Sequence, residues 1–528
     1  MCPAGFASNK NKFTDLIGCL ILMGRKRRIV RVGLSTLLLA LLVFSFFYER
    51  IPRANGLGWD GVIYSGMMEN FLAQIQGEGY PPYYIQKCLP FAIINIVDTL
   101  FNISNSFVTL MIFELLAFVL GVVAFFKTSD YLKLSIDSEI IAFGLLFFTH
   151  FVLRIGYTPY FDDPFAYCLA LWFFYFFISK QFWKMLIVSA IGAFVWRSIW
   201  IVGLILFAAP IVGFNLFDGK NVSEKGMKYI RLVKVLLTLA LILVPISMLL
   251  LAQQRNGNWM VYANLIPFYI WHVPVKCVFV STMCICVLFY FAIRPFSFNV
   301  KDLMMTTMKN LKVWNVIVVA VLFGLMSILV KLLSNPQLSS PELSFIDAGF
   351  ARRLLYEPFT VPLKFLASHV AYDGIIVCLL FLLYRSVWVY VSEHSIGYSI
   401  VFAMALFFGT QTESRFILNF FPFIVFPMAV VMSRRNLKKW VPWAVCILQL
   451  FLSGFWFKTN TESLAAALES DDVIVYTKGV AQRACYTGGT AMGEFAYWMF
   501  LSIFIVITVL LFMGRRWHWF ETIDGVKQ

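Results

Sequence analysis

The chain has 528 residues, of which 60% are hydrophobic, 18% aromatic and only 13% charged, with a mean hydropathy of +0.80. No single soluble core hides that much apolar surface, so a soluble globular protein is excluded and a polytopic membrane protein is expected. The net charge of +15 does not point to nucleic acid, because the basic residues are scattered over connectors and form no aromatic-interleaved groove.

In chain order, the apolar run from Phe13 to Met23 is too short to span a bilayer and is followed at once by basic residues. Met23 reads as the start, residues 1–22 as an over-extended N-terminus, and residues 23–528 as one transmembrane domain. Spans are expected at 29–48, 105–126, 138–153, 163–179, 182–196, 198–214, 235–252, 276–293, 314–333, 371–385, 396–411, 416–433, 440–457 and 495–513. This makes an all-α bundle of about fourteen transmembrane helices, since the apolar runs are far longer than the roughly ten-residue alternating strands of a membrane barrel. Arg197 interrupts the pair 182–196 and 198–214, which reads as a broken or re-entrant element.

Lysine and arginine bias orients the bundle. Arg25, Lys26, Arg27, Arg28 and Arg31 precede the first span. Every second connector is basic: Lys180 and Lys184, Lys220 to Lys234, Lys301 to Lys312, Arg434 to Lys439, and Arg515 with Arg516. Both termini are expected in the cytoplasm, which leaves Asp60, Glu69, Glu78, Asp162, Asp163, Glu413, Asp471 and Asp472 on the outer face. Most of the 10 cysteines fall inside spans, where a thiol behaves as a small apolar group. Only Cys88 and Cys485 fall in outer loops, where a bridge between them is open.

Candidate functional residues come from the outer connectors. Trp59-Asp60-Gly61 and Tyr64 lead into an amphipathic stretch through Met67, Met68, Phe71, Leu72 and Ile75, with Glu69 at its edge. Such a stretch lies in the membrane interface and places Asp60 near a lipid-borne substrate; Asp60 equally suits a helix cap. Asp162 and Asp163 begin the fourth span, where they can cap the helix, contact a sugar, or hold a divalent cation with hard oxygen ligands. Arg197 suits a phosphate or snorkels to the surface. Glu413 and Arg415 sit in a connector short enough to keep both at the membrane surface, paired with each other or with a substrate phosphate. Glu114, near the middle of the second span, is the one ionisable residue placed as a transporter would place it.

Taken together, Trp59-Asp60-Gly61 with Tyr64, Phe161-Asp162-Asp163-Pro164, Trp196-Arg197-Ser198, and Glu413-Ser414-Arg415-Phe416 with Pro422 resemble the polyprenyl-phosphate-sugar-dependent glycosyltransferases of the C-type membrane fold, the GT-C superfamily. The resemblance runs from about 29 to 435, with the C-terminal helices at 440–513 beyond it. It implies a GT-C-like bundle with interfacial helices in the outer loops. It also implies transfer of a hexosyl or pentosyl unit from a polyprenyl-phosphate donor to a glycan or lipid acceptor.

In that family an acidic residue of the first outer loop is the base or orients the acceptor, a role that falls here on Asp60. A second acidic site falls on Asp162 and Asp163, and Trp59, Tyr64, Glu69, Arg197, Glu413 and Arg415 become substrate-binding candidates. The chain departs from the family pattern in having no adjacent Asp-Glu pair in the first loop and no bulky outer domain. No cofactor is expected beyond a divalent cation at Asp162 and Asp163. The expected partners are the lipid-linked donor, the acceptor and membrane lipid, in a bacterial inner membrane. A transporter or flippase and a polysaccharide polymerase are the competing functions.

Overall fold

The computed structural model describes residues 9–48, 50, 57, 60–157, 159–217, 224–259, 273–338, 349–454, 492, 494–516 and 520–522. Trp59, Cys485, Asp471 and Asp472 lie outside the described residues. The helices are α1 (Asn9–Phe46), α2 (Gly61–Gln76), α3 (Pro82–Ile85), α4 (Leu89–Phe101), α5 (Ser106–Tyr131), α6 (Ile136–Phe147), α7 (His150–Leu153), α8 (Asp163–Ile178), α9 (Phe182–Gly192), α10 (Arg197–Ala208) and α11 (Glu224–Ala240). They continue as α12 (Leu243–Asn256), α13 (Val275–Ile293), α14 (Val300–Asn310), α15 (Val313–Leu333), α16 (Gly349–Tyr356), α17 (Lys364–Asp373), α18 (Ile376–His394), α19 (Ile396–Phe408), α20 (Phe421–Ser433), α21 (Val441–Leu452) and α22 (Glu494–Arg516). A short antiparallel pair, β1 (Arg435–Leu437) with β2 (Phe520–Thr522), is the sheet among the described residues.

The chain is therefore an all-α protein, and 8 of its described stretches are long and apolar enough to cross a membrane: Gly24–Phe46, Ser106–Tyr131, Gly226–Arg255, Val275–Ile293, Val313–Leu333, Ile376–His394, Ser414–Ser433 and Ala496–Arg516. Each overlaps a stretch expected from the sequence, Ile376–His394 sharing only its first half with the expected 371–385. Shorter apolar helices stand at α8, α9, α10, α19 and α21, where further spans were expected, and at α4, inside what the sequence presents as a long loop.

Three expected spans are interrupted, each for a local reason. The 138–153 stretch breaks after Phe147, and the Thr149 hydroxyl accepts a hydrogen bond from the Val152 amide (3.3 Å), capping the new turn of α7. The 371–385 stretch breaks at Gly374, which has φ +67°. There the buried Gln449 amide replaces the lost helical bonds, accepting from the Ile375 N–H and donating to the Asp373 carbonyl, both at 2.9 Å. The 235–252 stretch is split between α11 and α12, where Pro245 falls in the first turn of the second helix.

Aromatic rings fill the centre of the bundle. Phe174 of α8 stacks on Phe426 of α20, with centroids 5.0 Å apart, and Tyr398 of α19 donates its hydroxyl to the Phe423 carbonyl (3.1 Å). Such polar handles satisfy a buried ring where no water is at hand. At the opposite face from the loop of Asp60, Arg31 binds Glu139 (2.8 Å) and Asp130 (2.5 Å), and Arg27 donates to the same Glu139 from Nε (3.0 Å). Two arginines that read as orientation signals thus also tie α1 to α5 and α6 across a buried carboxylate.

Candidate functional site

The loop that holds Asp60 and the loop before α8 meet at close range. A Cβ on Gly61 would lie 2.8 Å from the Tyr160 Cβ, so only glycine lets α2 begin there. Gly156 is pressed harder, since a Cβ would come within 2.0 Å of the Ser45 carbonyl oxygen. Its amide donates to the Ser45 hydroxyl (2.9 Å), which fixes the second loop to the end of α1.

Asp60 and Asp162 occupy N-cap positions of α2 and α8, yet neither side chain makes a capping hydrogen bond. Their carboxylates turn to other groups instead. Asp60 Oδ1 accepts a long hydrogen bond from the Tyr84 hydroxyl (3.4 Å). Asp162, fully buried, faces Lys87 with Nζ 3.7 Å from Oδ2. The Lys87 ammonium also lies over the rings of Tyr83 (4.6 Å) and Trp196 (4.5 Å). Tyr64 packs behind them, stacked on Phe91 with centroids 4.3 Å apart and edge-on to Tyr84.

Burial sets the protonation of this group. It raises the Asp162 carboxyl to about 6, against the opposing pull of Lys87 and Arg415. Burial works against the charge on Lys87, but Asp162 and Tyr83 outweigh it and hold the ammonium above the ordinary lysine value. Tyr64 is pushed well above the usual phenol range by burial, reinforced by the charges of Asp162 and Asp60.

Arg415 joins this cluster to a neighbouring cleft. Its guanidinium interacts electrostatically with Asp60 and Asp163 and lies 5.5 Å from the Phe161 ring. The cleft offers about 60 Å³ of free space, room for a few water-sized groups, and is lined by His150, Arg154, Tyr157, Phe161, Asp163, Tyr372 and Arg415 among others. Asp163 is buried and its Oδ1 has no hydrogen-bond partner among the described residues. Arg154, also buried, packs against the rings of Tyr48 (5.4 Å) and Tyr157 (5.2 Å).

Glu413 is held between two arginines, Arg353 (2.5 Å) and Arg415. Burial alone would raise its carboxyl, but the two guanidinia bring it down to about 2. Nearby, Ser414, His369 and Asp373 have the composition of a hydrolytic triad without its geometry. Ser414 Oγ (2.8 Å) and Asp373 Oδ2 (3.3 Å) both approach His369 Nδ1, while Nε2 donates to the Gly409 carbonyl (2.7 Å). A triad needs its serine and carboxylate on opposite ring nitrogens.

Of the residues singled out from the sequence, Asp60, Tyr64, Asp162, Asp163, Glu413 and Arg415 come together. Glu69 is exposed partway along α2, and Arg197 is exposed at the start of α10, where its neighbour Trp196 is the residue that meets Lys87. Glu114 is fully buried close enough to Asp163 to interact with it electrostatically, and neither of its carboxyl oxygens has a hydrogen-bond partner among the described residues. Sequence reasoning missed Lys87, Tyr83, Tyr84, Arg154 and Arg353. No local sequence signal separates Lys87 from an ordinary loop lysine; what marks it is Asp162, brought to it by the fold. Asp162, expected with Asp163 to offer a cation site, faces Lys87 instead, and no group of three or more His, Cys, Asp or Glu side chains converges among the described residues. No protein-family model, curated protein or solved structure matches the chain.

Proposed function

We propose that the protein is a membrane glycosyltransferase with a GT-C-like bundle, moving a sugar from a polyprenyl-phosphate donor to a glycan or lipid acceptor at the outer face of a bacterial inner membrane. In this reading both termini are cytoplasmic. The shorter helices α8, α9, α10, α19 and α21, with α6 and α7 together, complete fourteen crossings. The observation that carries the proposal is the juxtaposition at one end of the bundle: an uncapped Asp60 beside Tyr84, two cations, Lys87 and Arg415, and an aromatic-walled cleft next to them.

That combination suits glycosyl transfer from a lipid phosphate. Asp60 takes the proton of an acceptor hydroxyl as its oxygen attacks the anomeric carbon, and the bond to the phosphate oxygen breaks with its electron pair. Lys87 and Arg415 stabilise the charge developing on the departing phosphate. Tyr157, Phe161 and Tyr372 offer flat apolar faces to a sugar ring in the cleft, with Asp163 to bind its hydroxyls.

The test is transfer of labelled sugar from polyprenyl-phosphate donors in membranes carrying the wild type or Asp60→Asn. Loss of a general base lowers transfer by about 100-fold or more, with donor binding retained. Unchanged transfer by Asp60→Asn removes Asp60 from the mechanism. Wild-type vesicles that move a solute and transfer no sugar overturn the enzyme reading in favour of a transporter.

A further inference from the structure

The charged groups on the Arg415 side of the site form a row of alternating sign. Glu357 Oε2 lies 3.3 Å from Arg353 Nε, Arg353 Nη1 lies 2.5 Å from Glu413 Oε2, and Glu413 Oε1 accepts from Arg415 Nε. The Thr412 hydroxyl donates to the second oxygen of Glu357, and Thr412 in turn accepts at its carbonyl from Ser368. The row is buried at its start and opens at its end, with side-chain exposure of 0% at Glu357, 7% at Arg353 and Glu413, and 20% at Arg415.

Two features separate Glu413 and Arg353 from residues that meet a substrate. Both oxygens of Glu413 already face guanidinium nitrogens, so its strong acceptor sites are taken. Arg353 has a carboxylate on either side and does not line the cleft, whereas Arg415 does. With Glu413 on its Nε, Arg415 makes no hydrogen bond from its terminal nitrogens among the described residues, which leaves them to address the cleft it lines. A planar guanidinium fixed at one nitrogen loses little further freedom when an oxyanion engages the others.

We propose that Glu413 and Arg353 are positioning residues, through which the segment 353–357, with Glu357 and Thr412 behind it, holds Arg415 in the orientation that receives the oxyanion of a lipid monophosphate. This deepens the proposed transferase reading by assigning α16 and the turn that follows it a part in the site, and it rests on that reading for the lipid phosphate alone.

The sign of one variant's effect is decisive. Removing the negative charge of Glu413 next to a cationic site strengthens anion binding if the carboxylate merely opposes the ligand. The same change weakens binding if the carboxylate holds Arg415 in place.

The experiment is titration of the purified, detergent-solubilised full chain with farnesyl monophosphate, read by tryptophan fluorescence. Glu413→Gln is expected to weaken binding about tenfold, the scale of one lost charge-assisted hydrogen bond. Arg353→Lys, which keeps the charge and loses the fork, is expected to weaken it severalfold with a melting temperature near that of the wild type, so the test survives if Glu413→Gln does not fold. In the transfer assay the same variants raise KM for the lipid donor and lower kcat as well, because Arg415 meets a charge that grows as the phosphate departs.

Equal or tighter binding by Glu413→Gln, wild-type affinity in Arg353→Lys, or no binding by the wild type overturns the inference. A wild type that binds farnesyl monophosphate and transfers no sugar sinks the transferase reading instead, leaving the positioning row to stand or fall on the binding data.

Discussion

Two parts of the bundle are both apolar enough in sequence to cross a membrane and opposite in packing. Of the span Ser414–Ser433, 83% is buried, and of Ile376–His394, 50%; for Val313–Leu333 the share is 0%, for Val275–Ile293 11%, and for Gly226–Arg255 17%. Arg415 lies on the first kind of helix, while α3 with Tyr83 and Tyr84 packs against α15 and the turn of Glu357 against α13, both of the second kind. The second kind presents Val321, Leu325, Ile328 and Leu332 to its surroundings, where lipid is as good a solvent for them as protein would be. Hydropathy detects both and cannot tell them apart, because it measures what a helix avoids and carries nothing about what it touches.

The strongest test of that contrast is a cavity. Phe174 is buried between Phe426 and Phe423, and truncating a large aromatic in a filled core costs about 3–5 kcal/mol. In a bilayer the cost falls on lost dispersion contacts, since a void has no partner atoms. Phe174→Ala should therefore lower the unfolding midpoint sharply in mixed detergent and denaturant. A change below about 1 kcal/mol would falsify the division into packed and lipid-facing helices.

The pH dependence sharpens the contrast at the site. Glu413 has its carboxyl lowered from 4.5 to about 2 by the arginines that outweigh its burial. The stability it contributes is complete above about pH 4.5 and is lost as the pH falls toward 2. Asp162 has the opposite sign: raised from 3.8 to about 6 by burial, it favours the fold while neutral, below about 3.8, and that advantage fades as the pH rises through 6. Melting temperatures measured from pH 2 to 8 should show a flatter acid limb for Glu413→Gln than for the wild type. They should show a weaker decline between pH 4 and 6.5 for Asp162→Asn.

How much of this is legible in the sequence follows from the same division. The apolar runs mark the helices because each must satisfy its own backbone inside the membrane. They also hide the breaks at Thr149 and Gly374, which depend on a hydroxyl cap and on Gln449, 75 residues beyond Gly374 in sequence. Asp60, Asp162, Asp163, Glu413 and Arg415 stand out because an acid or a base beside a bilayer is rare. Lys87 and Arg353 do not, because what marks them is a partner brought by the fold: Asp162 in one case, Glu413 and Glu357 in the other. Arg197 looks better placed than Lys87 on paper because it interrupts an apolar run, and it is exposed all the same.

A smaller effect is expected at the opposite face. Glu139 is buried, and receives Arg27 and Arg31 from α1. These arginines are partly exposed, with 26% and 20% of their side chains accessible, so solvent screens the pair and the loss on Glu139→Gln stays at about 1–2 kcal/mol. Protease sensitivity near Arg25–Arg31 should rise in that variant while lipid monophosphate binding is untouched. A binding defect would mean that α1 is coupled to the site through Ser45 and Gly156, the contact that anchors the second loop.

The weakest expected response lies on α15. Val321 is 54% exposed on a helix with no buried residue, so Val321→Ala exchanges contacts with lipid for slightly fewer contacts with lipid and leaves no void. Its stability effect should stay within about 0.5 kcal/mol, measured in the same detergent series as Phe174→Ala. A loss comparable to that of Phe174→Ala would show that α15 is covered in the membrane, by a second copy or another chain. In that case crosslinking from cysteines placed at 321 and 325 would capture that neighbour. The ratio of the two losses is thus a direct measure of how far apolar composition and burial diverge in this bundle.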